Sequence, residues 1–561
     1  MSSATPTSGT SPVRRLSLAG VLRLRRPSEI WFKPALSSVA AVAPPNLLLL
    51  ALGRLDLAMY TMAGSLCALY AHNRPYAARA RTLAWVVLGM LGGLAVALVT
   101  ASLTRNAVVL VTVGALLAAV QKALCDATRV GPPGNVVLTF ISSAALFVPQ
   151  TLGQVPGHLA LATAAGVWAW LVGMAPAPIR PHGPERRATA QALNAAAAYA
   201  ASHRTGEDAP ARAAGYAAVQ AAWQTLLALP STGARATTRH ALERLVVRAE
   251  VALAAPADAD PERLRAWAHA LRGGGRIPRT GDAPGDRDEL LGVDAELAAR
   301  PAPLWQRLGP LAPIAARTAL GCALAGYASL ALGIGRPYWA LVTAAALYQA
   351  NLTLTWSRAV QRVVGNLAGV LLFAAIAPLA HLGQALLVLC CLALNFGAEA
   401  LITRNYWLGS VCVTPMALLV TEFAGYQAPG DLMTERAVDT LVGALVGFLA
   451  AVVVTNRRAG NRVEEAVTAA DRARERAARL LAEPAPAPGA LEAARRGLAA
   501  ALTDLRATAD GAAGEWWGRA LPQERVVLAE RSGHRTLAEA VRRQAVRPDR
   551  DAGTRTEDVR P

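Results

Sequence analysis

Long apolar runs separated by short polar punctuation fill two blocks of the chain, and their lengths are those of membrane-spanning helices. The first block holds runs near 35–53, 55–70, 82–103, 106–124, 134–154 and 156–175. The second holds runs near 311–333, 337–353, 359–379, 382–402, 406–423 and 436–455. Most approach the roughly 20 residues a helix needs to cross a hydrocarbon core about 30 Å thick. Two are marginal: 35–53 contains Pro44-Pro45, and 55–70 is short. Both are expected inside a bundle, where neighbours satisfy the carbonyls that proline frees. The pattern predicts an all-α polytopic membrane protein with about twelve transmembrane helices.

The polar residues between the runs carry a direction. Residues 1–33 hold Arg14, Arg15, Arg23, Arg25, Arg26 and Lys33 against Glu29 alone. The basic region is long and the first apolar run after it lacks a clear small-residue cleavage site, so the stretch reads as a basic cytoplasmic leader rather than a signal peptide. With it inside, the inward loops hold Arg74, Arg79, Arg81, Lys122, Arg129, Arg358, Arg362 and Arg404, and the outward loops hold only Arg54, Arg105, Arg336 and Arg436. The positive-inside rule then puts both termini, and the polar segments 176–310 and 457–561, in the cytoplasm. The expected order is leader (1–33), six-helix block (34–175), helical domain and linker (176–310), six-helix block (311–456) and helical tail (457–561). Within 185–272 the Ala/Leu/Arg spacing predicts three or four amphipathic helices, followed by a mobile linker to about 300. The tail predicts helices near 462–482 and 523–545 with another between them, and a disordered last fifteen residues.

Composition sharpens the class. The chain is 54 % apolar and only 17 % charged, against about 25 % charged in ordinary soluble proteins. Its formal charge is nevertheless +18, almost entirely from arginine. That excess is spread over the leader, loops and tails with no basic stripe interleaved with aromatics, so it serves topology and anionic lipid headgroups, and no nucleic-acid partner is expected. The bias toward Arg, Ala, Pro and Gly suits a GC-rich bacterial genome. The six cysteines lie in or at the end of apolar runs without metal-ligand spacing, and the eight histidines form no HExxH-like cluster. No metal, cofactor or catalytic constellation is expected, and no phosphate-binding glycine loop is present, so an enzyme is not expected.

The halves repeat. Ala68-Leu69-Tyr70-Ala71-His72-Asn73 matches Ala346-Leu347-Tyr348-Gln349-Ala350-Asn351, and Gly89 and Gly93 then match Gly365 and Gly369. Six spans per block make the repeats parallel, an arrangement recurrent in secondary transporters. The second block carries a more specific pattern: Pro337-Tyr338-Trp339, Thr343 and Tyr348-Gln349, then Arg358 and Gln361-Arg362-Val363-Val364-Gly365 with Gly369. Tyr406, Thr414-Pro415 and Arg436-Ala437-Val438-Asp439-Thr440 with Gly443 follow. This resembles the fusaric-acid-resistance-like (FUSC-like) family and its integral membrane bound transporter domain, and is similar to aromatic acid exporters. Gly365-Asn366 stands where that family usually has Gly-Thr, and the first block lacks the Tyr-Trp pair. The resemblance implies a bacterial inner-membrane exporter of small organic, often aromatic, acids.

Physical chemistry assigns candidate roles. Arg358, Arg362, Gly365 and Gly369 share one helical face, as do Arg436, Asp439, Gly443 and Gly447. The glycines suit close helix packing. Arg358 and Arg362 either snorkel to the interface or hold a carboxylate through paired charge-assisted hydrogen bonds. Arg436 and Asp439, three residues apart, either pair with each other or form a gate or proton-linked site, and Glu399 belongs with them as an ionisable residue in a span. Tyr338 and Trp339 read as an aromatic belt or as a stacking surface for an aromatic substrate. Thr414 beside Pro415, with Gln349 and Asn351, supplies polar groups within spans, for a route or for helix–helix hydrogen bonding. The expected activity is efflux of small organic anions driven by proton-motive force, with a homo-oligomer as an open possibility. An uncoupled anion pathway or a membrane scaffold is the alternative.

Overall fold

The computed structural model describes residues 16, 18–24, 31–203, 209–228, 235–254, 256–257, 259–273, 275–278, 304–349, 351–454, 459–487, 489–513 and 523–545. The linker expected over 279–300 and the last fifteen residues lie outside them. The described residues form helices and no strand. The first block comprises α1 (Phe32–Ala51), α2 (Ala58–Ser65, with 3-10 turns on both sides), α3 (Tyr76–Leu103), α4 (Ala107–Thr128), α5 (Val136–Leu146) and α6 (Val155–Met174). After α7 (Gly183–His203), α8 (Ala209–Leu227), α9 (Arg235–Ala254) and α10 (Pro261–Arg272) comes the second block. It comprises α11 (Ala312–Ala331), α12 (Tyr338–Leu347), α13 (Leu352–Ala380), α14 (Gln384–Ile402), α15 (Tyr406–Thr421) and α16 (Pro429–Val453). The tail forms α17 (Ala459–Ala482), α18 (Ala490–Ala513) and α19 (Gln523–Ala545).

Among the described residues, nine helices are long and apolar enough to cross a membrane. The run at 55–70, expected to be marginal, and the runs at 134–154 and 337–353 are shorter helices, so the twelve expected runs give nine long helices and three short ones among the described residues. The reason is visible at α12. Its ten residues rise about 15 Å, half the hydrocarbon thickness, and all ten are buried. The backbone then turns extended at Tyr348 (φ −65°, ψ 112°). In the first block it does the same at the matched Tyr70 (φ −89°, ψ 154°). Both phenols are buried, and each donates to a carbonyl: Tyr70 to Gly134 at 2.6 Å, Tyr348 to Gly447 at 3.1 Å. A polar backbone interrupted at membrane depth is tolerated because protein surrounds it. Each interruption leads into a long helix of 28 (α3) or 29 (α13) residues. Asn351 starts α13 by accepting from Leu354 N at 2.9 Å.

Helix pairings recur between the blocks. In both, the second helix lies against the sixth, and the third against the fifth and sixth. The first helix of each block packs against the fourth of the other, α1 on α14 and α11 on α4. Ser38 and Asn395 seal the former with buried hydrogen bonds of 3.1 and 2.8 Å, and Thr112 and Tyr327 share one of 2.7 Å in the latter. Pro44-Pro45 sits inside a continuous α1, where Asn46 accepts from Thr61 on α2.

The two polar segments, far apart in sequence, pack on each other. Arg495 of α18 pairs with Glu250 of α9 at 2.5 Å and with Glu492, while Trp223 of α8 donates to Glu250 at 2.6 Å. Arg496 lies 4.9 Å over the Trp223 ring, and the Tyr216 and His534 rings meet at 4.9 Å.

Candidate functional site

Residues three and four apart share a helical face, and on α13 that face is Arg358, Arg362, Gly365 and Gly369. Gly365 lets α15 come close: a Cβ there would lie 2.5 Å from Trp407 O and 2.6 Å from Ser410 Cβ. A Cβ on Gly369 would meet Thr414 Cβ at 2.7 Å. This approach puts Tyr406, at the start of α15, between the two arginines. Arg362 Nη1 donates to Tyr406 Oη at 2.8 Å, and the Arg358 guanidinium lies 3.9 Å over the same ring. Arg362 is 4 % exposed and its Nε has no hydrogen-bond partner. Among the described residues, no carboxylate forms an ion pair with either arginine.

One turn further along α13, Asn366 joins three helices. It accepts from Thr414 Oγ1 at 2.6 Å and donates from Nδ2 to Thr440 Oγ1 at 3.0 Å, all fully buried. Thr440 donates in turn to Arg436 O at 2.7 Å. Thr414 is therefore engaged in helix–helix bonding within this polar layer.

Beyond that layer lies Arg436, 2 % exposed, its guanidinium 4.1 Å over the Trp339 ring. Its Nε and Nη1 have no hydrogen-bond partner. Of the two readings of Arg436 and Asp439, the mutual pair is not the one that forms: among the described residues no ion pair links them. Asp439 instead accepts from Ser329 of α11 through Oδ1 at 2.6 Å, and its Oδ2 has no hydrogen-bond partner. The cause is positional. The Trp339 face captures the guanidinium, while α11 offers the carboxylate a hydroxyl. The buried Thr343 hydroxyl on α12 also lacks a partner. Gly443 and Gly447 hold α16 against α12, since a Cβ on each would lie 2.5 Å from Ala340 O and 3.0 Å from Ala344 Cβ.

Tyr338 and Trp339 are buried rather than set in an interfacial belt. Tyr338 lies 5.7 Å from Phe147 and Trp339 5.7 Å from Phe140, both in the first block. Asn351 is occupied as the cap of α13, and Gln349 donates to Tyr348 O at 3.2 Å. Glu399, half-buried on α14, has no hydrogen bond or ion pair to this cluster among the described residues. Far from Arg358, at the other end of α13, His381 lies 3.1 Å from both Glu422 carboxylate oxygens, and Arg336 pairs with Glu435.

Several participants escape sequence reasoning. Tyr406 appears in the motif, but its double use needs the α13–α15 contact, and Ser329 reaches Asp439 only through the packing of α11 on α16. The repeat shows where the polarity is confined. In the register that matches Gly89 with Gly365, the first block has Thr82, Val86 and Met90 where the second has Arg358, Arg362 and Asn366.

Residues 323–450 match the family model described as fusaric acid resistance protein-like. The uncharacterized membrane protein YvaC of Bacillus subtilis (strain 168) is 35 % identical over 141 residues, 25 % of this chain and 22 % of that protein. The match thus spans about a fifth of that relative's own length. No solved structure matches the chain. The matched stretch runs from within α11 through most of α16 and contains every arginine of the cluster, so it is the second block of this multi-pass, all-α membrane protein that is similar to the fusaric acid resistance protein-like family.

Proposed function

We propose that the protein exports small organic anions, aromatic acids among them, across a bacterial cytoplasmic membrane through the second block, driven by proton-motive force. One observation carries the reading: Arg362 and Arg436 are buried within the second block, and among the described residues no carboxylate is ion-paired to either. Taking a charge out of water costs several kcal/mol unless it is paired. A fold that keeps two buried cations without a counter-ion among its described residues is suited to an anion that comes and goes. The Arg358–Arg362 pair, on the side that loop charge assigns to the cytoplasm, would load a carboxylate. The Asn366–Thr414–Thr440 layer lies next along α13. Arg436 on the Trp339 face would receive the anion beyond it, with the ring available to an aromatic acid. Asp439, whose Oδ2 is unpartnered beside Arg436, is the group we assign to proton coupling.

The test uses purified protein in proteoliposomes loaded with benzoate or, separately, acetate. Efflux that an imposed pH gradient accelerates and that Arg362→Ala reduces at least ten-fold supports the reading. Flux that follows the anion gradient and ignores pH would replace it with an uncoupled pathway, and unchanged flux in Arg362→Ala would remove the loading site.

A further inference from the structure

Residues 18–24 of the basic leader form no helix, yet they are fastened to the arginine end of the second block. Gln361 Nε2 donates to Val21 O at 2.9 Å. Asn405 Nδ2 donates to Val21 O at 3.0 Å and to Arg23 O at 3.1 Å. Trp407 Nε1 donates to Leu22 O at 3.2 Å. Val21 is buried, whereas Leu18, Leu22, Arg23 and Leu24 are exposed.

The placement of the donors is specific. Gln361 immediately precedes Arg362, and Asn405 and Trp407 flank Tyr406, so the residues that grip the segment adjoin those that build the arginine pair. Every one of these bonds ends on a backbone carbonyl of the segment. Carbonyl oxygens set against a mouth rich in N–H donors take the places that carboxylate oxygens of an incoming anion would use. Val21, Leu22 and Arg23 are held by four side-chain hydrogen bonds around one buried valine, with no secondary structure shared with the block, which is the make-up of a detachable element.

We propose that residues 18–24 form a strap that closes the cytoplasmic mouth over Arg358, Arg362 and Tyr406, and that its release admits the anion. The functional half of this statement rests on the transport reading above; the structural half does not.

Two measurements separate them. In nanodiscs, where both membrane faces are open, Arg358→Cys is labelled with a membrane-impermeant maleimide. The native cysteines, five of them buried in or at the ends of spans, provide the blank. Labelling of the introduced thiol is expected to accelerate at least five-fold when Gln361→Leu and Trp407→Phe are combined with it, and again when residues 2–24 are deleted. A rate within two-fold of the strapped protein in both backgrounds overturns the strap. Benzoate efflux from proteoliposomes is then expected to rise in the same releasing variants built on the native Arg358. Faster labelling with no efflux from any variant would leave the strap standing and remove the transport reading.

Discussion

Arg362 and Arg358 share one phenol: the first donates from Nη1 to Tyr406 Oη at 2.8 Å, and the second stacks at 3.9 Å on the ring face. Two cations one helical turn apart repel, and Tyr406 offsets this with its only two assets, a hydroxyl oxygen and a π face. Tyr406→Phe keeps the face and removes the oxygen, leaving the buried Arg362 with one partner fewer. The expected cost is about 1–2 kcal/mol, read as a fall in the unfolding midpoint of the detergent-solubilised protein. In a double-mutant cycle, Tyr406→Phe is expected to add almost nothing once Arg362→Gln is present. Equal effects in both backgrounds would separate the hydroxyl from Arg362.

Arg436 yields an expectation of opposite sign. Its charge is buried and, among the described residues, not ion-paired, so Arg436→Met removes a desolvation penalty of about 3 kcal/mol. It also loses a desolvated cation–π contact with Trp339 of about 2 kcal/mol. The difference favours the variant: stability should rise by about 1 kcal/mol while anion efflux falls at least ten-fold. Gaining stability by deleting a residue is the mark of one held for function. Asp439→Asn should be tolerated within about 1 kcal/mol, because the asparagine carbonyl can still accept from Ser329. A loss of more than 2 kcal/mol in Arg436→Met would mean that the two side chains stabilise each other after all.

Gly89 and Gly365 occupy equivalent places in the sequence repeat and different environments in the fold. A Cβ on Gly365 would collide with the Trp407 carbonyl, whereas one on Gly89 meets nothing within 4 Å. Gly365→Ala is expected to cost about 2–3 kcal/mol through overpacking against backbone, and Gly89→Ala should be neutral or slightly stabilising through helix propensity. Matching losses in thermal unfolding at the two sites would contradict this asymmetry.

These residues also mark how far sequence reading reaches. Apolar run length located the membrane helices, because crossing a bilayer imposes a length that composition records directly. It overstated α2, α5 and α12, since a run buried in protein can stop being helical without becoming polar. Helical spacing placed Arg358 with Arg362, and Arg436 with Asp439, on common faces. It could not say that Tyr406 would serve both members of the first pair, or that Ser329 and Trp339 would separate the second. Those outcomes depend on which helices touch, and spacing within one helix carries no information about neighbours. The same limit hid the strap, whose attachment uses carbonyl oxygens that every residue type supplies.

The contact between the two polar segments gives an expectation in pH. His534 on α19 lies against Tyr216 on α8, and its Nδ1 is buried without a partner. Burial first, and the nearby Arg212 second, lower its pKa from 6.5 to about 4. The ring is therefore neutral when docked, while an undocked or unfolded His534 takes up a proton below about pH 6.5. Docking is then unaffected above that pH, weakens as pH falls from about 6.5 to about 4, and levels off below. The loss over that window is on the order of 3 kcal/mol at most. In the adjacent pairing, burial alone would lower the pKa of Arg495, but Glu250 and Glu492 raise it and keep the guanidinium charged throughout this range. Thermal unfolding followed from pH 8 to pH 4 should show this decline in the native protein and a shallower one in His534→Phe, which keeps an aromatic ring against Tyr216. Identical slopes in the two proteins would place the acid sensitivity elsewhere in the chain.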